Sequence, residues 1–396
     1  MQTQSESRMN LLIILPRIPY PLEKGDKLRA FNHVKYLSRN NDIHLVCLND
    51  SKVSKQDAFQ AVQPYVQSVR FIDLSLFCRI INLIRAFFSG KPLQVGYFYS
   101  TRAHKKIKKF IRESAPDHIF CQLVRTAEYA RYEKIPKTLD YQDVFSKGVE
   151  RRIKSSSWYK RPFLKMEYKR LLVYENRIFD YFSNKVIISK PDRELIPHPE
   201  REKIEVIING VDTDFFTPMD CEKKYDLVFT GNMAYPPNVN AVEFIAYRLM
   251  PLLKKRKPGI RVLIAGATPD KRVKAVASDN IKVSGWVDDI RESYASARIF
   301  IAPMQIGTGL QNKLLEAMAM KIPSITSPLA NKALEARPGE EILIGESAQE
   351  YADHIFHLLE DGDFAEQIAS RAYHFVHNNY NWQSATAPLE RIMKNT

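Results

Sequence analysis

Ala302-Pro303-Met304-Gln305-Ile306-Gly307-Thr308-Gly309-Leu310-Gln311-Asn312-Lys313-Leu314-Leu315-Glu316-Ala317-Met318-Ala319 is the stretch on which the reading of this chain turns. An apolar run at 298–302 reads as a strand, two glycines follow, and a helical pattern starts near Leu310. Gly307 and Gly309 let the backbone approach a ligand closely, because no Cβ intervenes. The first N–H groups of the helix lack intrahelical partners and face the loop. With the helix dipole they make an anion site that suits a diphosphate. Lys313 adds a cation in the first turn, and Glu316 brings a carboxylate that can accept hydrogen bonds from a ribose diol. The same residues also read as a glycine turn followed by a solvated Lys–Glu face.

The strand–glycine–helix order recurs on either side. Val228-Phe229-Thr230-Gly231-Asn232 runs through a loop to a helix capped by Asn238. Ligands of doubly wound sheets bind at the carboxyl ends of strands, which is where Gly231 and Asn232 fall. Ser284-Gly285-Trp286-Val287-Asp288 follows a strand at 281–283. Backbone groups at Trp286 and Val287 can read a nucleobase edge, unless Trp286 is core. Near the N-terminus, Pro21-Leu22-Glu23-Lys24-Gly25-Asp26-Lys27-Leu28-Arg29 leads from the first strand into a helix at 26–39.

Further apolar runs at 10–15, 43–48, 69–74, 118–121, 138–139 and 185–188 read as strands, with helical patterns at 101–114 and 159–182. After residue 225 the pattern restarts. Strands at 226–229, 261–265, 281–283, 298–302 and 324–326 alternate with helices at 238–256, 269–278, 288–297 and 310–320. Strands spaced by helices imply βαβ units and parallel sheets. The expected fold is α/β, with two doubly wound, Rossmann-like domains at 1–205 and 206–375 and a helical tail at 376–396. A length of 396 residues accommodates two such cores.

Composition narrows the function classes. Lys plus Arg number 59 against 45 Asp plus Glu, a formal charge of +14 that favours anionic partners. No recognition motif supports nucleic acid among them. Cys47, Cys78, Cys121 and Cys221 lie far apart without C-x-x-C spacing, as reduced thiols packed like small hydrophobes do. The polar start and the five-residue apolar run at 11–15 are too short for a signal peptide, and no run is long enough to span a bilayer. A cytoplasmic protein is expected. Residues 147–170 carry nine bases and two acids, interleaved with Trp158, Tyr159, Phe163 and Tyr168. With the apolar helix pattern at 76–89 they suit the anionic inner face of a plasma membrane, or a solvated basic face over ordinary core.

The order of these residues resembles the GT-B glycosyltransferases of family 4, also called group 1. Pro303, Gly309, Gln311, Asn312, Lys313 and Glu316-Ala317-Met318-Ala319 are similar to the sugar transferases of exopolysaccharide gene systems, as are Pro21…Gly25-Asp26…Arg29 and Gly231-Asn232-Met233…Pro237-Asn238. The resemblance implies two facing Rossmann-like domains and a last helix that returns to the first of them. Glu316 would bind the donor ribose, and Gly307, Thr308, Gly309, Leu310, Gln311, Asn312 and Lys313 the diphosphate. Gly25 would approach phosphate or acceptor, and Trp286 and Val287 would meet the base. Two positions depart from the pattern. Many members have a glutamate where Thr308 stands, and an Arg and a Lys after the glycine matching Gly231, where this chain has Asn232 and no base before Arg248. Lys313, Arg17 or Lys24 would then neutralise the leaving group. After the strand at 118–121, relatives often place a histidine; Gln122 and Arg125 stand here.

The expected activity is a retaining hexosyl transfer from a nucleotide-diphosphate sugar to a lipid-linked or surface saccharide. No Asp-x-Asp pair of the metal-binding kind stands out, so neither metal nor cofactor is expected. Asp140, with Lys313 and Glu316, is a candidate catalytic group, because Asp140 and Asp143 follow a strand and can face the sugar; helix caps are the plainer reading. A nucleotide-sugar epimerase and a non-catalytic nucleotide or nucleic-acid binding protein are the alternatives.

Overall fold

The apolar runs form strands buried on both faces, as parallel sheets require. A computed structural model describes residues 8–22, 25–50, 53–306 and 309–396. The chain divides into unit 1, residues 1–208 and 385–396, and unit 2, residues 209–384.

Unit 1 holds β1 (Met9–Leu15), β2 (Asn41–Asn49), β3 (Ser68–Asp73), β4 (His118–Gln122), β5 (Lys137–Gln142), β6 (Asn184–Ile187) and β7 (Glu205–Val206). They form one sheet in the order β3-β2-β1-β4-β5-β6-β7, every pair parallel. Alternate residues of each strand face opposite sides. Leu12, Ile14, Val46, Leu48, Ile119 and Leu139 enter one core cluster, while Leu11, Ile13, Leu45, Cys47 and Phe120 enter the other. Leu389 and Met393 from the C-terminal segment complete the second cluster. Each fully buried leucine there contributes roughly 1.5–3 kcal/mol.

Unit 2 repeats the plan with β8 (Tyr225–Thr230), β9 (Val262–Ala265), β10 (Ile281–Gly285), β11 (Ala297–Ala302), β12 (Ser324–Thr326) and β13 (Leu343–Ile344). Its order is β10-β9-β8-β11-β12-β13, again parallel. The strand order reverses between β1 and β4 in unit 1 and between β8 and β11 in unit 2, the two points where doubly wound sheets bind ligands.

Several elements differ from the sequence reading. β5 runs from 137 to 142 rather than over two residues, because the polar Asp140 lies inside it. The long helical pattern at 238–256 is one run, Pro236–Phe244, a π-turn at Ile245–Leu249, and Met250–Arg256. The patterns at 269–278 and 288–297 shrink to Lys271–Ala275 and Ile290–Ala295, started by Asp270 and Asp289 caps. The helix Phe145–Ser155 lay outside the expected set. All four cysteines are free, Cys47 and Cys121 in the core. No helix among the described residues is long and apolar enough to cross a membrane.

Candidate active site

At the carboxyl edge of unit 2 the backbone is laid bare. β8 and β10 run into Gly231 and Gly285, and β9 is followed by Gly266, all three with positive φ. Gly231 N–H donates to Ala265 O (3.1 Å), and Gly266 N–H donates to Gly285 O (3.0 Å). A Cβ on Gly266 would stand 1.8 Å from Gly231 O, so the turn closes only without one. A Cβ on Gly231 would stand 2.6 Å from Asn238 Nδ2 and 3.3 Å from Lys313 Nζ. Gly231 therefore leaves the approach to the Lys313 ammonium open.

Lys313 is the second residue of the helix Asn312–Ala319, for which Gln311 is the N-cap residue. Gln311 Nε2 turns back to Gly309 O (2.9 Å) and holds the preceding loop. The Lys313 side chain is buried. Its Nζ donates to Asn238 Oδ1, lies 3.9 Å from Met304 Sδ and sits 4.5 Å from the Phe229 ring centroid. No ion pair reaches it among the described residues. Burial pulls the ammonium down to about 7, with Glu316 opposing that shift.

Glu316, one turn on, is half-buried. Its Oε2 accepts from Tyr294 Oη at 2.6 Å, and the same Oη lies 2.7 Å from Thr230 Oγ1. Burial raises the Glu316 carboxyl, while Tyr294 and Lys313 draw it back. Tyr294 thereby fixes one carboxylate oxygen.

Among the remaining expected residues, Asn232 is exposed and organises its loop. Its Oδ1 accepts from Ala234 N–H and Thr268 Oγ1, both at 3.0 Å. Trp286 is 66% exposed at the end of β10, which rules out the reading of it as core. Val287, Leu310 and Asn312 are half-buried. Gly307 and Thr308 lie outside the described residues, as does Lys24. A cavity of about 330 Å³ opens past the ends of β11, β12 and β13, lined by Met304, Gln305, Ser327, Gly345, Glu346 and Tyr351 among others. Met304 is common to this cavity and the Lys313 contact set.

Unit 1 presents a different edge. Arg17 donates to Asp26 (2.8 Å) and lies 3.8 Å from Asp50. Arg125 donates to Gln94 Oε1 (3.1 Å) and stacks on Phe98 and Phe145, 5.1 and 4.6 Å from their centroids. Burial, then the neighbouring Arg17, pulls Arg125 down to about 10. Gln122 bridges Asp26 O (2.8 Å) and Gln142 Oε1 (3.1 Å). Gly25 opens the helix Gly25–Leu37 with nothing near its Cβ position.

Asp140 requires a correction. It is fully buried and paired with Arg29, also fully buried, at 2.7 Å. Oδ1 additionally accepts from Gln142 N–H (3.0 Å). A carboxylate with no exposed surface and both oxygens engaged does not touch a sugar in this structure. Its neighbour Asp143 is exposed and caps Val144 N–H (2.8 Å). The sequence reading also missed Tyr294 and Thr230, which no local motif marks.

Residues 224–361, within unit 2, match the family described as Glycosyl transferases group 1. A 44.6 kDa protein in the cps region of Klebsiella pneumoniae is 22% identical over 94% of this chain and 96% of its own. Among solved structures, Anabaena HepE in complex with UDP and glucose gives a TM-score of 0.69 at 14% identity, over 98% of this chain and all of HepE. A glycosyltransferase from Rickettsia africae gives 0.68 at 15% identity, over 97% of this chain and 98% of that one. Residues 224–361 thus match the group 1 glycosyltransferases, and the two sheets of doubly wound order have the GT-B fold.

Proposed function

We propose that the chain is a retaining hexosyltransferase that breaks the sugar–phosphate bond of a nucleotide-diphosphate sugar and joins the sugar to a lipid-linked or surface saccharide, without a metal ion. The observation that carries this is Lys313: a buried lysine with no ion pair among the described residues, at the strand-order reversal of unit 2, left approachable by Gly231. A buried cation without a direct ion pair favours an incoming anion, and a departing diphosphate is one whose charge grows as the bond breaks. Glu316, oriented by Tyr294, then meets the ribose diol, and the exposed Trp286 the base. The crystal complexes of HepE with UDP, with UDP and glucose, and with UDP-glucose favour a uridine donor. The Klebsiella cps-region relative favours a surface polysaccharide as the product.

Positioning and charge stabilisation supply the rate in this scheme. Asp140 and Arg29 shape unit 1 without touching substrate. A lipid-linked acceptor would bring the chain to the anionic inner face of the plasma membrane. Calorimetric titration with UDP and GDP tests the donor site: one nucleotide binds in the micromolar range, and both Glu316→Ala and Lys313→Ala lose it. Absence of binding by well-folded wild-type protein, or undiminished binding by both variants, would overturn the assignment.

A further inference from the structure

The helix Leu76–Ser89 has its apolar face turned outward. Leu76, Phe77, Ile80, Ile84, Phe87 and Phe88 are 43–82% exposed. At the α-helical period all six fall within roughly one third of the circumference. Its buried residues are small or polar, Asn82 and Ala86, with Ile81 and Leu83 half-buried. Ala86 packs so closely on the helix Leu93–Phe98 that a Cβ at Gly96 would stand 2.2 Å from its own. A surface helix of a globular protein shows the opposite pattern.

This helix is firmly built. Ser75 Oγ caps it and Gly90 ends it in the left-handed region. Arg79 holds its start to Asp50 O (2.9 Å) and Tyr97 Oη (2.6 Å). Arg170, from the helix Arg161–Phe179, holds its end through Phe87 O (2.8 Å). Glu167 of that second helix accepts from Leu93 and Gln94 N–H (2.8 and 3.1 Å), which fuses the three helices into one layer.

Charge on the layer is sorted by direction. The acids of the helix Arg161–Phe179, Glu167 and Glu175, are buried, whereas Arg161, Lys165 and Lys169 are exposed. Trp158 and Tyr159, just before it, are 81% and 61% exposed. An exposed apolar stripe on a layer that also exposes bases and interfacial aromatics matches an anionic bilayer; contiguous exposed apolar patches of this kind are rare on soluble monomers.

We propose that the helix Leu76–Ser89 docks unit 1 on an anionic lipid bilayer, lying in the membrane plane with Phe77, Ile80, Ile84 and Phe88 among the acyl chains and Lys165 and Lys169 at the headgroups. It deepens the reading of a membrane-borne acceptor, because the helix starts beside Asp50 at the same edge that carries Arg17. The surface itself stands on geometry within unit 1.

The test uses the full chain and sedimentation with vesicles of phosphatidylcholine alone or mixed equally with phosphatidylglycerol. Wild-type protein binds the mixed vesicles, and salt weakens that binding. Ile80→Asp with Phe88→Asp abolishes it while circular dichroism is unchanged. Lys165→Gln and Lys169→Gln each weaken it about fivefold and flatten its salt dependence. Undiminished sedimentation of the double aspartate variant would overturn the proposal. So would a wild-type dimer in light scattering that the same variant converts to monomer, since the face would then cover a second copy. Neither donor nor acceptor enters the assay, so failure of the transferase reading would leave its outcome intact.

Discussion

At the carboxyl edge of unit 2, positive-φ glycines end or follow three neighbouring strands, and a buried lysine stands without an ion pair among the described residues. At the corresponding edge of unit 1 the strands run into Arg17, Asp26, Asp50 and Arg125, with the Arg29–Asp140 pair sealed beneath them. Both sheets have the same strand order up to their last members, so topology does not cause the difference. Bare backbone suits phosphate oxygens, which take N–H donors and a cation at close range. An edge filled with balanced side chains suits neutral hydroxyls, which need directed partners rather than net charge. A buried ion pair is architecture; a buried ion without a pair is a site in waiting.

The sharpest way to break this contrast is the pair itself. Arg29→Ala leaves Asp140 uncompensated, and stability in urea should fall by about 4 kcal/mol. Arg29→Met with Asp140→Leu should recover most of the loss. A single substitution that costs little would make Asp140 available for chemistry after all. Next comes the glycine edge. Gly266→Ala places a Cβ 1.8 Å from Gly231 O, and should cost about 3 kcal/mol together with nucleotide affinity. Gly25→Ala in unit 1, with nothing within 4 Å, should be neutral or gain under about 1 kcal/mol. Equal effects at the two glycines would erase the distinction between the edges.

A smaller effect sharpens it. A diphosphate favours the charged form of Lys313, so its pKa in the complex lies above the value of about 7 in the free protein. The contribution of this lysine to binding is complete below pH 7. It is lost as pH rises from there toward the higher pKa of the complex, by up to about tenfold in affinity per unit. Titration calorimetry in buffers of different ionisation heat should show proton uptake near pH 8, absent in Lys313→Met. Proton release instead would contradict the assignment of the ammonium to the anion.

Much of this was legible because it is local. A strand, a glycine and a helix start within about ten residues suffice to place Gly231, Lys313 and Glu316 at one edge, and period-two and unbroken apolar runs mark the long strands. The Arg29–Asp140 pair was not legible, since its members are separated by 111 positions and each alone reads as a surface charge. The same polar residue interrupts β5 and hid most of that strand. Tyr294 was hidden for a related reason: its hydroxyl acts through Glu316, 22 positions away, while its ring reads only as core. Burial of Trp286 was an even choice from its neighbours, because a tryptophan after a strand packs or reaches outward with equal ease.

The last consequence concerns synthesis. Unit 1 is discontinuous: its core cluster takes Leu389 and Met393 from the far end of the chain. A ribosome delivering about 5–20 residues per second makes all of unit 2 in between, a gap of roughly 10–35 s. During that interval the first sheet waits with one flank uncovered. The unit begun first is therefore the one completed last.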